Sequence, residues 1–242
     1  MRNNVKDQLK KAKEIFEEKE MKAALIKNDE RFTIIDFRRV DGCSDFYCNF
    51  IVDKERGALM ISGDLGGCIA DWHNPNTTSN LAKYIKSVGY FIKKMDSTSD
   101  KYTFKEEDVL EDIKEHIKEY EYDLSKYENA WDIYDDPEET FYEDLSDELS
   151  NSVCSNSGFH PSDRLADMIK EFDADYWEWL YDCGRRTSPR VYLWIAGFNM
   201  ACEQLELDKH YCDIANSRIE SAKEDLQNKI PASMEEMFGY TE

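Results

Sequence analysis

The side chains best able to do chemistry in this chain are carboxylates. Glu107, Glu111, Glu115 and Glu119 recur at every fourth position, and Asp135, Asp136, Glu138, Glu139, Glu143, Asp144 and Asp147 follow soon after. Two carboxylates can act as general acid and general base when their surroundings keep one protonated and the other ionised. With 52 Asp and Glu among 242 residues, no spacing singles out such a pair, so acid–base catalysis has no address here. Divalent-cation binding fares no better, because the acidic loop of an EF-hand with its required Gly is missing. What rows of carboxylates can do without burial or a metal is attract cations fixed on another molecule.

The other reactive side chains give weaker leads. His73, His116, His160 and His210 are scattered, and only His210 has a nearby cysteine, Cys212. That pair reads as chance neighbours, since zinc-type ligand spacing is absent. There is no GxSxG, Walker A or dinucleotide fingerprint, and no cysteine can be matched with a histidine. The glycine-dense segment Gly63–Gly67 lies between two predicted strands, where a tight hairpin is expected; a phosphate loop would have to open a helix. Arg185, Arg186 and Arg190 cluster at a predicted helix start, either as partners for the neighbouring acids or as an anion site. The expectation is a non-enzymatic protein with no catalytic residue, no metal and no cofactor.

Placement of charge says more than its amount. The formal net charge is −21, and the stretch from Asp96 to Asp182 alone holds 28 acidic and 7 basic residues. The rest of the chain is balanced, with 24 of each. Acidity needed only for solubility would be expected to spread, because crowded like charges raise the free energy of the compact state. A solvated face with no further role is the plain alternative. Duplex DNA carries one charge per roughly 1.7 Å and draws its protein partners largely through lysine and arginine. An acidic chain is repelled by nucleic acid itself but can take its place on a basic protein. Tyr122, Tyr127, Trp131, Tyr134 and Tyr142, interleaved with the acids, would supply aromatic anchors.

Seven widely spaced cysteines, no CxxC pair and a polar N-terminus without a signal peptide point to free thiols in a reducing cytoplasm. No apolar run approaches the roughly 20 residues that cross a bilayer, so no membrane association is expected.

The pattern of apolar residues predicts an α+β fold. Residues 4–27 read as a charged helix. FTIIDF (32–37), FYCNFIV (46–52), ALMIS (58–62) and GCIADW (67–72) read as four strands of an antiparallel meander, with turns at Asp41-Gly42, 54–57 and 63–66. Thr78 or Ser79 is the expected cap of a helix running to about Met95. From Lys105 to Leu124, Val109, Leu110, Ile113, Ile117, Tyr120 and Leu124 form a core-facing stripe, with the glutamate ladder outside. Residues 127–136 read as a connection, and Pro137 opens a second acidic helix to about Leu149. SNSVCSNSG (150–158) has linker composition. Ser162 caps a helix, a tryptophan-rich turn ends at Gly184, and Ser188-Pro189 starts an apolar helix placed at the centre of a C-terminal helical bundle. A last amphipathic helix is expected over 209–229. The resulting division is 1–95, an α/β module; 96–150, acidic helices; and 151–242, a helical region.

The segment ALMISGDLGGCIADWHNPNT (58–77), followed by LAKYIKSVGYFIKKM (81–95), resembles a stretch of uncharacterised phage and prophage proteins of Gram-positive bacteria, over roughly residues 30–125. It carries no catalytic motif. In acidity, size and lack of chemistry the chain is also similar to phage-encoded anti-CRISPR proteins, several of which occupy nucleic-acid-binding surfaces of effector nucleases. That resemblance implies an inhibitor whose partner is a basic nucleic-acid-binding protein such as a CRISPR effector nuclease. Competing readings are an interaction protein whose acidic patch only solubilises it, and an enzyme using carboxylates that spacing does not reveal.

Overall fold

Apolar alternation along residues 32–71 folds into a sheet with one buried face. The computed structural model describes residues 4–99, 101–127, 136–155, 158–207 and 223. Six strands, β1 (Met21–Asn28), β2 (Phe32–Arg39), β3 (Cys48–Asp53), β4 (Ala58–Gly63), β5 (Cys68–Asp71) and β6 (Met95–Thr98), pair antiparallel in sequence order. Cross-strand register lines up Ile35, Phe50, Ile61 and Cys68 in one fully inward row. The adjacent row, Ile34, Ile51, Met60 and Ile69, faces the opposite side and stays partly or wholly exposed. A one-residue slip would exchange these rows, so burial of the first fixes the register.

The helices are α1 (Val5–Glu18), α2 (Thr78–Tyr84), α3 (Val88–Lys93), α4 (Glu106–Glu119), α5 (Pro137–Ser150), α6 (Asp163–Lys170) and α7 (Pro189–Gln204). Helices α1, α2, α3 and α7 join the sheet in a first core, where Phe16 meets Phe37 edge-on at 5.4 Å and Phe50 meets Phe198 at 5.3 Å. A second core is built by α4, α5 and α6 with the hairpin β8 (Val153–Ser155) and β9 (Gly158–His160). Its α4 contribution is Val109, Ile113 and Ile117, each essentially buried and each contributing about 1.5–3 kcal/mol relative to exposure. A two-residue pairing of β7 (Tyr102–Thr103) with β10 (Arg186–Thr187) ties the segments entering α4 and α7 together.

Several expectations hold. The strands over 32–71 form as read, α5 begins at Pro137, Ser162 caps α6, and Ser188 caps α7 with Pro189 in its first turn. Others are corrected. The opening helix stops at Glu18, and Met21–Asn28 becomes the edge strand β1. Thr77, not Thr78 or Ser79, caps α2, accepting a bond from the Asn80 amide. The helix expected to run to Met95 breaks into α2 and α3, and Met95 starts β6, because pairing with Cys68–Ala70 satisfies backbone that a longer helix would withhold from the sheet. The linker-like 150–158 holds most of a hairpin whose Phe159 is buried in the second core. Among the described residues, helix α7 crosses the buried face of the sheet and packs on α1. At its end the Gln204 side-chain oxygen accepts from Ala23 N–H at 2.9 Å and its amide donates to the Met21 carbonyl at 3.0 Å. This covers part of the free edge of β1, which would otherwise invite another strand. The helix expected over 209–229 lies, apart from Lys223, outside the described residues.

Candidate functional site

Helices α4 and α5 pack against each other in the second core. Ser150 at the end of α5 donates to Glu106 at the start of α4, and Lys114 mid-way along α4 sits 5.1 Å from the Tyr142 ring of α5. The two helices are therefore antiparallel. Both turn their apolar stripes inward, so their charged sides point out. Glu107, Glu115 and Glu119 of α4 are exposed, as are Asp136, Glu138, Glu139, Glu143 and Asp147 of α5. Three of these also serve the helix itself. Asp136 accepts from the Glu138 amide, and Glu138 and Glu139 lie in the first turn, where negative charge offsets the helix dipole.

Two residues of the expected site have a different job. Glu111 is half-buried, with Arg186 Nη2 at 3.8 Å. Asp144 is half-buried too, accepting from the Tyr127 hydroxyl at 2.7 Å with Arg164 at 3.7 Å. They belong to inward networks. Arg186 grips Asp112 through both guanidinium nitrogens at 2.8 Å, with its Nε 3.3 Å from Asp108. The hydrogen bonds raise the arginine's affinity for its proton further, and the Gly184 amide completes the cradle at 2.7 Å from Asp112. Gly184 has φ +73°, and a Cβ there would meet Val109 Cγ2 at 2.4 Å, so only glycine lets this turn lie on α4. Glu148, 7% exposed, accepts from Ser162 Oγ at 2.8 Å and faces Arg164 at 3.6 Å. The plain reading of the arginine cluster is thus the observed one for Arg186.

The aromatic anchors are also redistributed. Tyr127 is buried, and Tyr142 is half-buried beneath Lys114. Tyr122 is half-buried, its hydroxyl donating to Asp173 at 2.6 Å with His116 Nε2 at 3.1 Å. Desolvation and that carboxylate push its pKa upward. Asp135, Trp131 and Tyr134 fall outside the described residues. In place of these the surface exposes Tyr120 at 60%, Trp177 at 59% and Tyr181 at 45%. Tyr120 belonged to the expected core stripe. It leaves the core because the helix ends beside it, and its ring stacks on His116 at 4.3 Å, with Trp179 on His116 at 3.7 Å.

Three of the buried thiols are poor nucleophiles. Burial pushes the thiols of Cys48, Cys68 and Cys183 up to about 12, far from the thiolate a nucleophile requires. Among the described residues no group of three His, Cys, Asp or Glu could hold a metal ion, and the cysteines are free. No helix among them is long and apolar enough to cross a membrane.

A family model described as a phage family matches residues 10–198. The chain belongs to this phage family. The matched span runs from within α1 to within α7, so the phage family's shared unit contains the second core with its acidic α4–α5 pair and nearly all of the first core. No curated protein and no solved structure matches the chain.

Proposed function

We propose that this phage protein is a non-enzymatic inhibitor that binds the basic nucleic-acid-binding surface of a host defence nuclease, a CRISPR effector being the type of target. The observation that carries the reading is the outward carboxylate array of the antiparallel α4–α5 pair. Along one helix, charges four residues apart are spaced by about 6 Å, and a second row on the neighbouring helix raises the density toward the 3.4 Å phosphate spacing of a single strand. A groove built for phosphates meets charge of similar pitch. Tyr120 between Glu119 and Glu121, and Trp177 beside Glu178, offer rings on which a partner's arginine can stack while pairing with a carboxylate. Association should be fast and salt-sensitive, since exposed charges are screened over about 10 Å at 0.1 M ionic strength.

The test is capture of a purified RNA-guided nuclease at about 50 mM and about 300 mM salt, comparing wild type with a Glu107→Lys, Glu115→Lys, Glu119→Lys, Glu143→Lys variant. Binding should weaken at the higher salt and fall at least tenfold, about 1.4 kcal/mol, in the variant. Unchanged affinity in both comparisons sinks the reading.

One observation favours a second reading, in which the acids only solubilise the chain. The half-exposed apolar row Ile34, Ile51, Met60 and Ile69 on the outer sheet face is a surface on which a partner could dock without charge. In that case Ile69→Glu abolishes binding while the four charge reversals leave it intact.

A further inference from the structure

Where the first core meets α4, a cleft of about 410 Å³ opens, lined by Gln8 of α1, Thr103 of β7, Lys105 at the head of α4, Arg185 and Thr187 beside and within β10, and Tyr192 of α7. Its chemistry is opposite to that of the molecule. In a chain of net charge −21, three cations face this space, Lys105, Arg185 and Arg186, against one lining carboxylate, Asp108. Arg186 and Asp108 answer each other, with Asp112 holding the rest of the guanidinium. Arg185 lies 5.3 Å from the Tyr102 ring centre and is 2.7 Å from Asp182, an exposed pair that solvent screens. Lys105 has no ion pair among the described residues.

The neutral residues of the lining, Thr103, Thr187, Tyr192 and Gln8, are of types that carry hydroxyl or amide donors. An ammonium, a planar guanidinium and several hydroxyl donors around a small space form a set suited to tetrahedral oxyanions. The volume is in the range of small-ligand clefts, about 300–1,000 Å³, and exceeds what a bare ion fills. This basic recess lies at the head of the acidic helix α4, where a purely solubilising charge pattern does not call for a cluster of cations.

We propose that this cleft binds a small phosphate ester, with Lys105 and Arg185 taking the phosphate oxygens and Thr103, Thr187 and Gln8 completing their hydrogen bonds. A dianionic phosphate matches the two cations. Because Gln8 and Tyr192 belong to the first core's helices while Lys105 heads α4, the bound ligand bridges the two cores. This site is independent of the acidic face and does not require the inhibitor reading.

The experiment is titration calorimetry of the full chain with adenosine monophosphate, inorganic phosphate and succinate at matched ionic strength, with hydrogen exchange measured over residues 101–112 and 185–192. Adenosine monophosphate should bind, slow exchange in both segments, and lose at least tenfold affinity in a Lys105→Ala, Arg185→Ala variant. Both side chains are exposed, so circular dichroism and thermal midpoint of that variant should match wild type. Tighter binding of the nucleotide than of inorganic phosphate assigns the site to an ester; equal binding of the two assigns recognition to the phosphate group alone. Succinate binding as well as either phosphate, an unaltered affinity in the variant, or no binding of any of the three overturns the proposal.

Discussion

At the scale of single residues, His116 is the most tightly specified titratable group. Its ring is sandwiched between Tyr120 and Trp179, and its Nε2 meets the Tyr122 hydroxyl, which donates its one proton to Asp173. The Tyr122 oxygen must therefore accept, and Nε2 of His116 carries the hydrogen. Trp179 Nε1 donates to the same carboxylate at 2.9 Å. Burial lowers the His116 pKa below its ordinary value, outweighing the opposing pull of Asp173 and Glu119. The unfolded chain then binds a proton more readily than the folded one. The stability this cluster contributes is complete above about pH 6.5, the free imidazole value, and declines as pH falls through that point. The Tyr122 hydrogen bond holds Asp173 below the usual carboxylate range, so its contribution persists down to about pH 4 and is lost below. His116→Phe keeps a ring in the stack without the proton. Urea midpoints at pH 7.5 and pH 5.5 should drop more in wild type than in this variant; equal drops would show that His116 does not set the slope.

At the scale of elements, helix ends are where residue pattern and structure diverge most. Helices α1, α4 and α7 are each followed by a glutamate in the left-handed region, Glu20 at φ +52°, Glu121 at +51° and Glu206 at +55°. After α4 the Tyr122 amide donates to the Ile117 carbonyl at 3.1 Å, and after α7 the Leu207 amide donates to Cys202 at 2.9 Å, bonds that close a left-handed cap. Glycine is the usual sign of such an end, and none is present at these three positions. The opening helix and α4 consequently look longer in sequence than they are, and Tyr120 looks like core. Glutamate in this conformation carries steric strain that glycine lacks. Glu121→Gly should stabilise the protein by roughly 0.5–1 kcal/mol and raise its thermal midpoint by about 1–4 °C. Calorimetry showing a lower midpoint would mean that the Glu121 side chain contributes more than its backbone strain costs.

At the scale of the whole molecule, charge and topology are separated. The first core closes only when α7 returns to it after the chain has built the second, and the negative charge is concentrated in the segment between. Inward carboxylates there are matched by Arg164 and Arg186, whereas those on the outer sides of α4 and α5 crowd one another. Such self-repulsion is relieved by salt. Raising NaCl from about 0.01 M to about 1 M, which shortens the screening length from about 30 Å to about 3 Å, should raise the melting temperature by several degrees. The four-lysine variant used to test binding should show a smaller rise. A wild-type midpoint that stays flat or falls would indicate that pairing, rather than repulsion, dominates that surface.

Local chemistry determined a good deal without the fold. Period-two alternation carried β2 to β5, the Ser162 and Ser188-Pro189 signals carried two helix starts, and the stripe Val109, Ile113 and Ile117 oriented α4, because each depends on neighbours a few residues apart. Only the tertiary structure decided that Met21–Asn28 joins the sheet, that α7 lies across it, that Glu111 and Asp144 turn to arginines, and that a basic cleft opens beside Lys105. Those outcomes rest on pairings between residues far apart in the chain, such as Gln204 with Met21 and Arg186 with Asp112. Burial and partner distance, which periodicity does not encode, separate a carboxylate that holds the fold from one left to meet another molecule.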